Sequence, residues 1–222
     1  MSTLEGLNQC LRVRALNVNI FGALARRIQR DVIVSLFRRA IHRRVHGLTV
    51  GVAADSCDAE TAFDRVAAGL DLLARHLPSI VARLRQDAQG IFVWETKVSG
   101  GGASWHYGVK LIIIDARFLC SPETSSANIA AVLVHEGTHA RLDRFGYAPE
   151  IRARVEAACF RRERRFARRL PDSQELLAEI ERQLLRDPSY WADDAHAQRV
   201  RDELAIRGVP AWFIRALKRL SG

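Results

Sequence analysis

The sequence has few cysteines, no long apolar run and almost no lysine. Its four cysteines stand far apart and form no CxxC pair, which argues against a disulfide scaffold, and we expect them to pack as small apolar side chains. No stretch reaches the roughly 20 apolar residues that span a bilayer, which excludes an integral membrane protein. Residues 1–10 show no basic segment leading into an apolar run, so no secretory signal is expected. These absences predict a soluble protein of a reducing compartment, the cytoplasm.

Arginine is in excess. The 34 basic and 25 acidic residues give a net charge of +9, and only three of the basic residues are lysines. Residues 1–50 carry a surplus of seven positive charges and residues 152–169 a surplus of six. Arginine blocks of this kind suit an anionic partner, such as nucleic acid or an anionic membrane, but solvated helix faces explain the same pattern.

Hydrophobic periodicity predicts helices in the first part of the chain. Residues 20–46 repeat apolar side chains at intervals of four with arginines between them, which indicates one or two basic amphipathic helices, although residues 32–37 also suit a strand. A loop or short strand follows at 46–55. Residues 58–86 form a second helical stretch that Pro78 splits or kinks. We therefore expect a basic amphipathic N-terminal region at 1–55 and a separate domain at 56–222.

The amino-acid composition changes in the middle of the chain. Residues 91–96 and 105–118 are rich in branched and aromatic side chains, and the glycine-rich segment 99–104 separates them, which predicts a hairpin or two consecutive strands. Helical patterns follow at 127–142, 151–170 and 174–186. The predicted fold class is α+β, mostly helical with a small sheet.

The sequence His135-Glu136-Gly137-Thr138-His139 carries the strongest chemical signal. Residues four apart on an α-helix lie about 40° apart around its axis and one turn along it, so both imidazoles project from one face and can bind one zinc ion. Glu136 stands beside the first ligand, where its carboxylate can take a proton from a water activated by the metal. This spacing predicts Zn²⁺ bound by His135 and His139, with Glu136 as general base.

Hydrolytic zinc sites have three protein ligands and one open position, and the third ligand has several candidates. Asp143 lies one turn beyond His139 on the same helix, and Glu150 opens the next helix. Glu156 lies among small apolar residues inside that helix, where metal binding would relieve the cost of burying its carboxylate. We expect Glu156, with Glu150 as the alternative. Cys159 follows Glu156 by about one turn and is expected to pack as a small side chain, with metal contact the lesser alternative.

With these residues, the segment 104–160 resembles the HExxH zincin metallopeptidases, in particular the gluzincin branch, which takes its third ligand from a downstream glutamate. The resemblance implies a zincin-like fold, with a small sheet packed on the HExxH helix, and an edge strand that binds a peptide substrate in antiparallel pairing. Trp105–Asp115 would be that strand. Arg141 departs from the family, which favours an apolar side chain at its position.

The resemblance also implies an oxyanion stabiliser from later in the chain, for which Tyr147, Tyr190 and His196 are candidates that spacing does not separate. The sequence thus predicts a zinc metallopeptidase acting on peptide or protein substrates. The alternative is a basic protein that binds nucleic acid or an anionic membrane, in which the HExxH helix is structural or holds an inert metal.

Overall fold

The computed structural model describes residues 27–95, 102–146 and 149–192, with a few isolated helical positions between 195 and 205. These residues form an α+β fold in which helices surround a small mixed sheet of five strands, and this confirms the coarse fold class. No helix within the described ranges is both long and apolar enough to cross a membrane.

Helices and strands alternate irregularly along the chain. Helix α1 covers residues 27–39, and the others are β1 (Ile41–Val45), β2 (Leu48–Ala53), α2 (Ala59–His76), α3 (Pro78–Asp87), β3 (Gly90–Trp94), β4 (Ala103–His106), β5 (Leu111–Asp115), α4 (Ala116–Cys120), α5 (Ser126–Asp143), α6 (Arg152–Ala167) and α7 (Gln174–Leu184). Short 3₁₀ turns at Pro149–Ile151 and Pro188–Trp191 complete the set.

The strands lie in the order β1-β2-β3-β5-β4. The three central strands β2, β3 and β5 are parallel, and the two outer strands are antiparallel to their neighbours. The expected single strand Trp105–Asp115 is wrong: Tyr107–Lys110 form a turn, so the stretch divides between edge strand β4 and inner strand β5. The reason lies in the backbone, because Lys110 has a positive φ of 52° that ends the extended conformation.

The central strands are buried on both faces. Ile91 and Val93 of β3 point into a core shared with α2, α3 and α5, whereas Phe92 between them points into a second cluster with Ile33 of α1. Alternate residues of a strand face opposite sides of the sheet. Helices α1 and α5 therefore cover opposite faces.

Helix α5 is held tightly in the main core. Ser125 caps its first turn in a reciprocal capping box with Asn128. A Cβ atom placed on Gly69 of α2 would lie 2.6 Å from Ile129, and one placed on Gly137 would lie 2.7 Å from Leu84 of α3. Glycine at these two positions lets neighbouring helices approach α5 closely and fixes its position.

The expected helix at 20–46 ends at residue 39. The next residues, Ile41–Val45, form β1, because they pair in register with Leu48–Val52 across a turn at His46 and Gly47, both of positive φ. Residues 32–37 are helical, as the main interpretation expected, and 46–55 contains a short strand. Strands β1 and β2 fall within the N-terminal region set apart at 1–55, and β2 pairs with β3, so this part of the region belongs to the sheet. Residues 1–26 lie outside the described residues.

Two of the four cysteines do not pack as free apolar groups. Cys57 and Cys120 form a disulfide that joins the start of α2 to the end of α4, across 63 positions of sequence. The fold brings these two helices into contact, which no local spacing reveals. Cys159 is free and fully buried, as expected of a small apolar side chain.

Candidate metal centre

The two histidines of the HExxH sequence project from one side of α5. Their rings lie 4.9 Å apart at an interplanar angle of 49°, and the two Nε2 atoms are 3.2 Å apart. Both side chains are nearly buried, at 12% and 10% exposure for His135 and His139. The helical spacing therefore produces the convergence of imidazole nitrogens that the sequence predicts.

Helix α6 crosses α5 and brings a carboxylate to the same point. Glu156 Oε2 lies 3.3 Å from Nε2 of His135 and 3.5 Å from Nε2 of His139. With the 3.2 Å between the nitrogens, the three atoms form a nearly regular triangle. Ligands 2.0–2.1 Å from a tetrahedral zinc lie about 3.3–3.4 Å apart, so the triangle has the size of one face of such a coordination shell. The donor set of two imidazoles and one carboxylate fits zinc.

A second glutamate orients one of the rings. Nδ1 of His135 is hydrogen-bonded to Glu163, two turns along α6 from Glu156. If His135 is neutral and its Nδ1–H donates to this carboxylate, its Nε2 holds only a lone pair. Three electron-rich atoms then face one another, and a cation stabilises that arrangement. Carboxylates behind metal-binding histidines play this orienting role in many zinc sites.

The charge around the triangle is strongly negative. Glu136, Glu156 and Glu163 are all less than 8% exposed. A cation close to the centre is Arg152, whose Nε lies 3.7 Å from the second oxygen of Glu156. A divalent cation bound at the triangle would offset this local concentration of carboxylates. Buried charge without such compensation is costly.

The pKa shifts follow from the same crowding. Burial tends to lower the pKa of His135, but Glu156 and Glu163 raise it well above its ordinary value. Burial tends to raise the pKa of Glu156, and hydrogen bonding to His135 and His139 brings it far below the usual range instead. Burial raises the pKa of Glu163, helped by the charges of Glu136 and Glu156. In the absence of a metal, the raised pKa favours the protonated form of His135.

Glu136 lies beside the triangle, and its carboxylate has no bonding partner among the described residues. It is 7% exposed, and its charge acts on His135 and on Glu163. It makes no hydrogen bond or ion pair with any residue in the described part of the chain. A carboxylate of this kind is available to accept a proton from a water molecule or another ligand in the site.

Cys159 also approaches the centre. Its sulphur and one ring nitrogen each of His135 and His139 lie within 4.8 Å of one another. This upper bound is longer than the 3.3 and 3.5 Å that separate Glu156 from the two nitrogens. In the metal-free site, burial and the neighbouring glutamates raise the pKa of the Cys159 thiol well above its usual value. Both Glu156 and Cys159 thus approach the two histidines, and Glu156 stays the predicted third ligand.

The other candidate ligands lie elsewhere. Glu150 is exposed in the turn before α6 and makes no hydrogen bond or ion pair with either histidine within the described residues. Asp143 accepts a hydrogen bond from the indole of Trp105, at 3.3 Å, and so ties the end of α5 to edge strand β4. Arg141, the departure from the family pattern, lies 3.8 Å from Asp87 and over the ring of Phe145.

Aromatic side chains close one side of the centre. The ring of Phe160 lies 4.8 Å from that of His135, and Trp191 packs 5.3 Å from Phe160. Tyr190 contacts Trp191 and lies between the guanidinium groups of Arg186 and Arg199, one ring further from the histidines. The other two expected oxyanion stabilisers, Tyr147 and His196, lie outside the described residues.

Edge strand β4 runs beside α5. Within the described residues no strand pairs with its outer edge, and its side chains are half-buried. His106 lies at its end, where burial lowers the pKa of the ring and keeps it neutral, and its Nε2 is 3.2 Å from Ser104 Oγ. His106 is thus a strand side chain, and no described strand occupies the outer backbone of β4.

Sequence reasoning missed Glu163. It stands within an arginine block and reads there as part of a solvated helix face. The signal that identifies it is its helical spacing. Cys159, Phe160 and Glu163 follow Glu156 by three, four and seven residues, which places all four on one side of α6.

Comparison with protein-family models, with curated proteins and with solved structures finds no match to this chain.

Proposed function

We propose that this protein is a zinc-dependent peptidase of the zincin type. In this proposal His135, His139 and Glu156 bind the metal through the atoms that form the triangle, and the fourth position is left for solvent or substrate. The observation that carries the proposal is the separation of 3.2–3.5 Å among these three atoms. It supports a single divalent ion held by all three.

The chain's own residues would divide the remaining work. A bound zinc ion would polarise the scissile carbonyl and acidify a water molecule to a pKa of about 7. Glu136 would accept the proton of that water and pass it to the leaving amine nitrogen. Glu163 would hold His135 in the tautomer that binds metal, as its hydrogen bond to Nδ1 suggests.

Substrate would bind along β4. A peptide in extended conformation can pair with the open backbone of an edge strand, and β4 lies beside the helix that carries both histidines. Main-chain pairing accepts many side chains, so this mode suits a peptide or protein substrate. The Trp105–Asp143 hydrogen bond supports the proposal, because it fixes the strand relative to the metal centre.

The test of the activity is the Glu136→Gln variant. Zinc-loaded wild-type protein and the variant are incubated with a library of internally quenched peptides, and Glu123→Gln, on an exposed turn, serves as the matched control. We expect the variant to keep its zinc and lose about 100-fold or more in cleavage rate, since general-base catalysis contributes factors of this order. Glu123→Gln should cleave like the wild type.

Two outcomes count against the proposal. Equal cleavage by Glu136→Gln and the wild type removes Glu136 as the base. Zinc-loaded wild-type protein that cleaves no member of the library contradicts the peptidase activity itself.

A further inference from the structure

A second feature lies on the opposite side of the sheet from the metal centre. Helix α1 and the β4–β5 turn, Tyr107–Lys110, enclose an open groove of about 670 Å³. One wall carries Arg38 and Arg39, and the other carries Lys110 and Tyr107. The volume is in the range of known ligand sites.

The groove carries positive charge that the described chain does not neutralise. Its one acidic residue, Asp31, is paired with Arg30 at 3.3 Å. Arg38, Arg39 and Lys110 are exposed, and their side chains make no ion pair or hydrogen bond with any described residue. The one acidic side chain that lines the groove is thus already paired, and the three cations have no anionic partner among the described residues. Such an arrangement attracts a polyanion.

Both walls are rigid. Ile33 anchors α1 on the sheet, at 4% exposure, and Phe37 packs edge-on against Phe92 of β3, 5.5 Å away. The turn is anchored by buried Val109 and by a 2.8 Å hydrogen bond from the backbone N–H of Gln89 to the carbonyl of Lys110. The backbone segments that carry the cations are therefore positioned before any ligand arrives, so that only the side chains have to be ordered on binding.

We propose that this groove binds single-stranded nucleic acid. The guanidinium and ammonium groups would contact successive phosphates, and the Tyr107 ring, 63% exposed, offers a surface on which a base can stack. Charges on two facing walls suit a strand lying between them, whereas a flat membrane would reach only the rims. The groove and the metal centre lie on opposite faces of the sheet, so this binding is independent of the proposed peptidase activity.

The test is fluorescence anisotropy with a labelled 20-nucleotide single strand of mixed sequence. The groove variant R38E/R39E/K110E is compared with R75E/R161E/R165E, which makes the same change of net charge at exposed arginines that have no ion pair with described residues. We expect the groove variant to lose at least tenfold in affinity and the control much less. The slope of log affinity against log salt should fall by about two for the groove variant, since each phosphate contact on a single strand contributes about 0.7.

Tyr107→Ala separates stacking from charge, because it leaves net charge unchanged. We expect it to weaken binding several-fold, and zinc content and thermal unfolding of every variant serve as checks of folding. Equal losses in the two triple variants, or no binding by the wild type, overturn the proposal. So does retention on vesicles of phosphatidylcholine and phosphatidylserine that needs the same residues while the nucleic acid does not bind.

Discussion

His135 uses its two ring nitrogens in different ways. Nδ1 is hydrogen-bonded to Glu163 on α6, and Nε2 meets His139 and Glu156 at the triangle. One imidazole thus links an orienting carboxylate to the proposed ligand set. Changes to Glu163 should therefore act on the metal through His135.

Replacing Glu163 tests this link. In Glu163→Gln the amide oxygen can still accept the Nδ1–H bond, so we expect zinc affinity to fall by less than tenfold. Glu163→Ala leaves the buried ring without its partner, and we expect a loss of 10- to 100-fold, as found when such orienting groups are removed elsewhere. Competition with a fluorescent chelator measures both. Equal affinity of the Ala variant and the wild type would show that Glu163 does not support the site.

Cys159 and Glu156 are the two candidates for the third ligand, and matched variants distinguish them. Because Glu156 Oε2 completes the triangle, Glu156→Gln should reduce zinc affinity at least 100-fold, whereas Cys159→Ser should change it by no more than a few-fold. Chelator competition on both proteins provides the measurement. The reverse order of effects would assign the ligand to the thiol.

Acid should release the metal. Histidine must be neutral to bind zinc, and in the metal-free site the neighbouring carboxylates raise the pKa of His135 well above its ordinary value. A raised pKa means that the protonated form persists to higher pH and competes with the metal, so zinc affinity should increase as pH rises from 6 to 8. Zinc uptake near pH 7 should also release protons, which calorimetry in buffers of different ionisation enthalpy detects. Affinity independent of pH would contradict histidine ligation.

At the scale of elements, close helix packing holds α5 in place. Gly69→Ala would place a methyl group 2.6 Å from Ile129, a stiff β-branched side chain, and the main core must shift to accept it. We expect a loss of about 1–3 kcal/mol in the free energy of unfolding, measured by urea denaturation. In an Ile129→Ala background the same change should cost much less, because the clash is gone. Equal costs in both backgrounds would argue against the close contact.

The disulfide between α2 and α4 should also stabilise the fold. Cross-linking residues 63 positions apart reduces the entropy of the unfolded chain by an amount equivalent to about 4 kcal/mol. Reductant, or Cys57→Ala with Cys120→Ala, should therefore lower the melting temperature by several degrees. The Cys159→Ser protein should respond to reductant like the wild type. Four reactive thiols per unfolded, unreduced chain, in place of the two left by one disulfide, would show that the bond does not form.

Sequence patterns predict the elements well where local chemistry decides them. Pro78 separates two helices, and the apolar spacing around the HExxH residues gives a helix within one residue of its ends. Patterns fail where pairing with another element determines the structure. Ile41–Val45 carries a helical repeat but forms a strand, because it pairs with β2. For the same reason spacing along the chain does not predict the Cys57–Cys120 bond. Glu163 was missed because its partner, His135, is on another helix.

At the scale of the whole molecule, the candidate metal centre and the basic groove lie on opposite faces of the sheet. Helices α5 and α6 on one face carry three buried carboxylates and two histidines, and α1 on the other face carries Arg38 and Arg39, which have no ion pair among the described residues. The basic groove thus does not face the metal centre, while the second arginine block, residues 152–169, lies largely on α6 itself. Disulfides of this kind persist in oxidising surroundings, and the compartment in which the protein works stays a prediction.

The central claim is a metal ion held by three protein ligands with one position open. X-ray absorption at the zinc edge, combined with metal analysis of protein purified without chelator, tests it most directly. We predict about one zinc per chain, with two imidazole nitrogens and one carboxylate oxygen at about 2.0–2.1 Å and no sulphur near 2.3 Å. A chain that takes up no zinc, or a shell of four protein ligands that includes the Cys159 sulphur, would contradict the account.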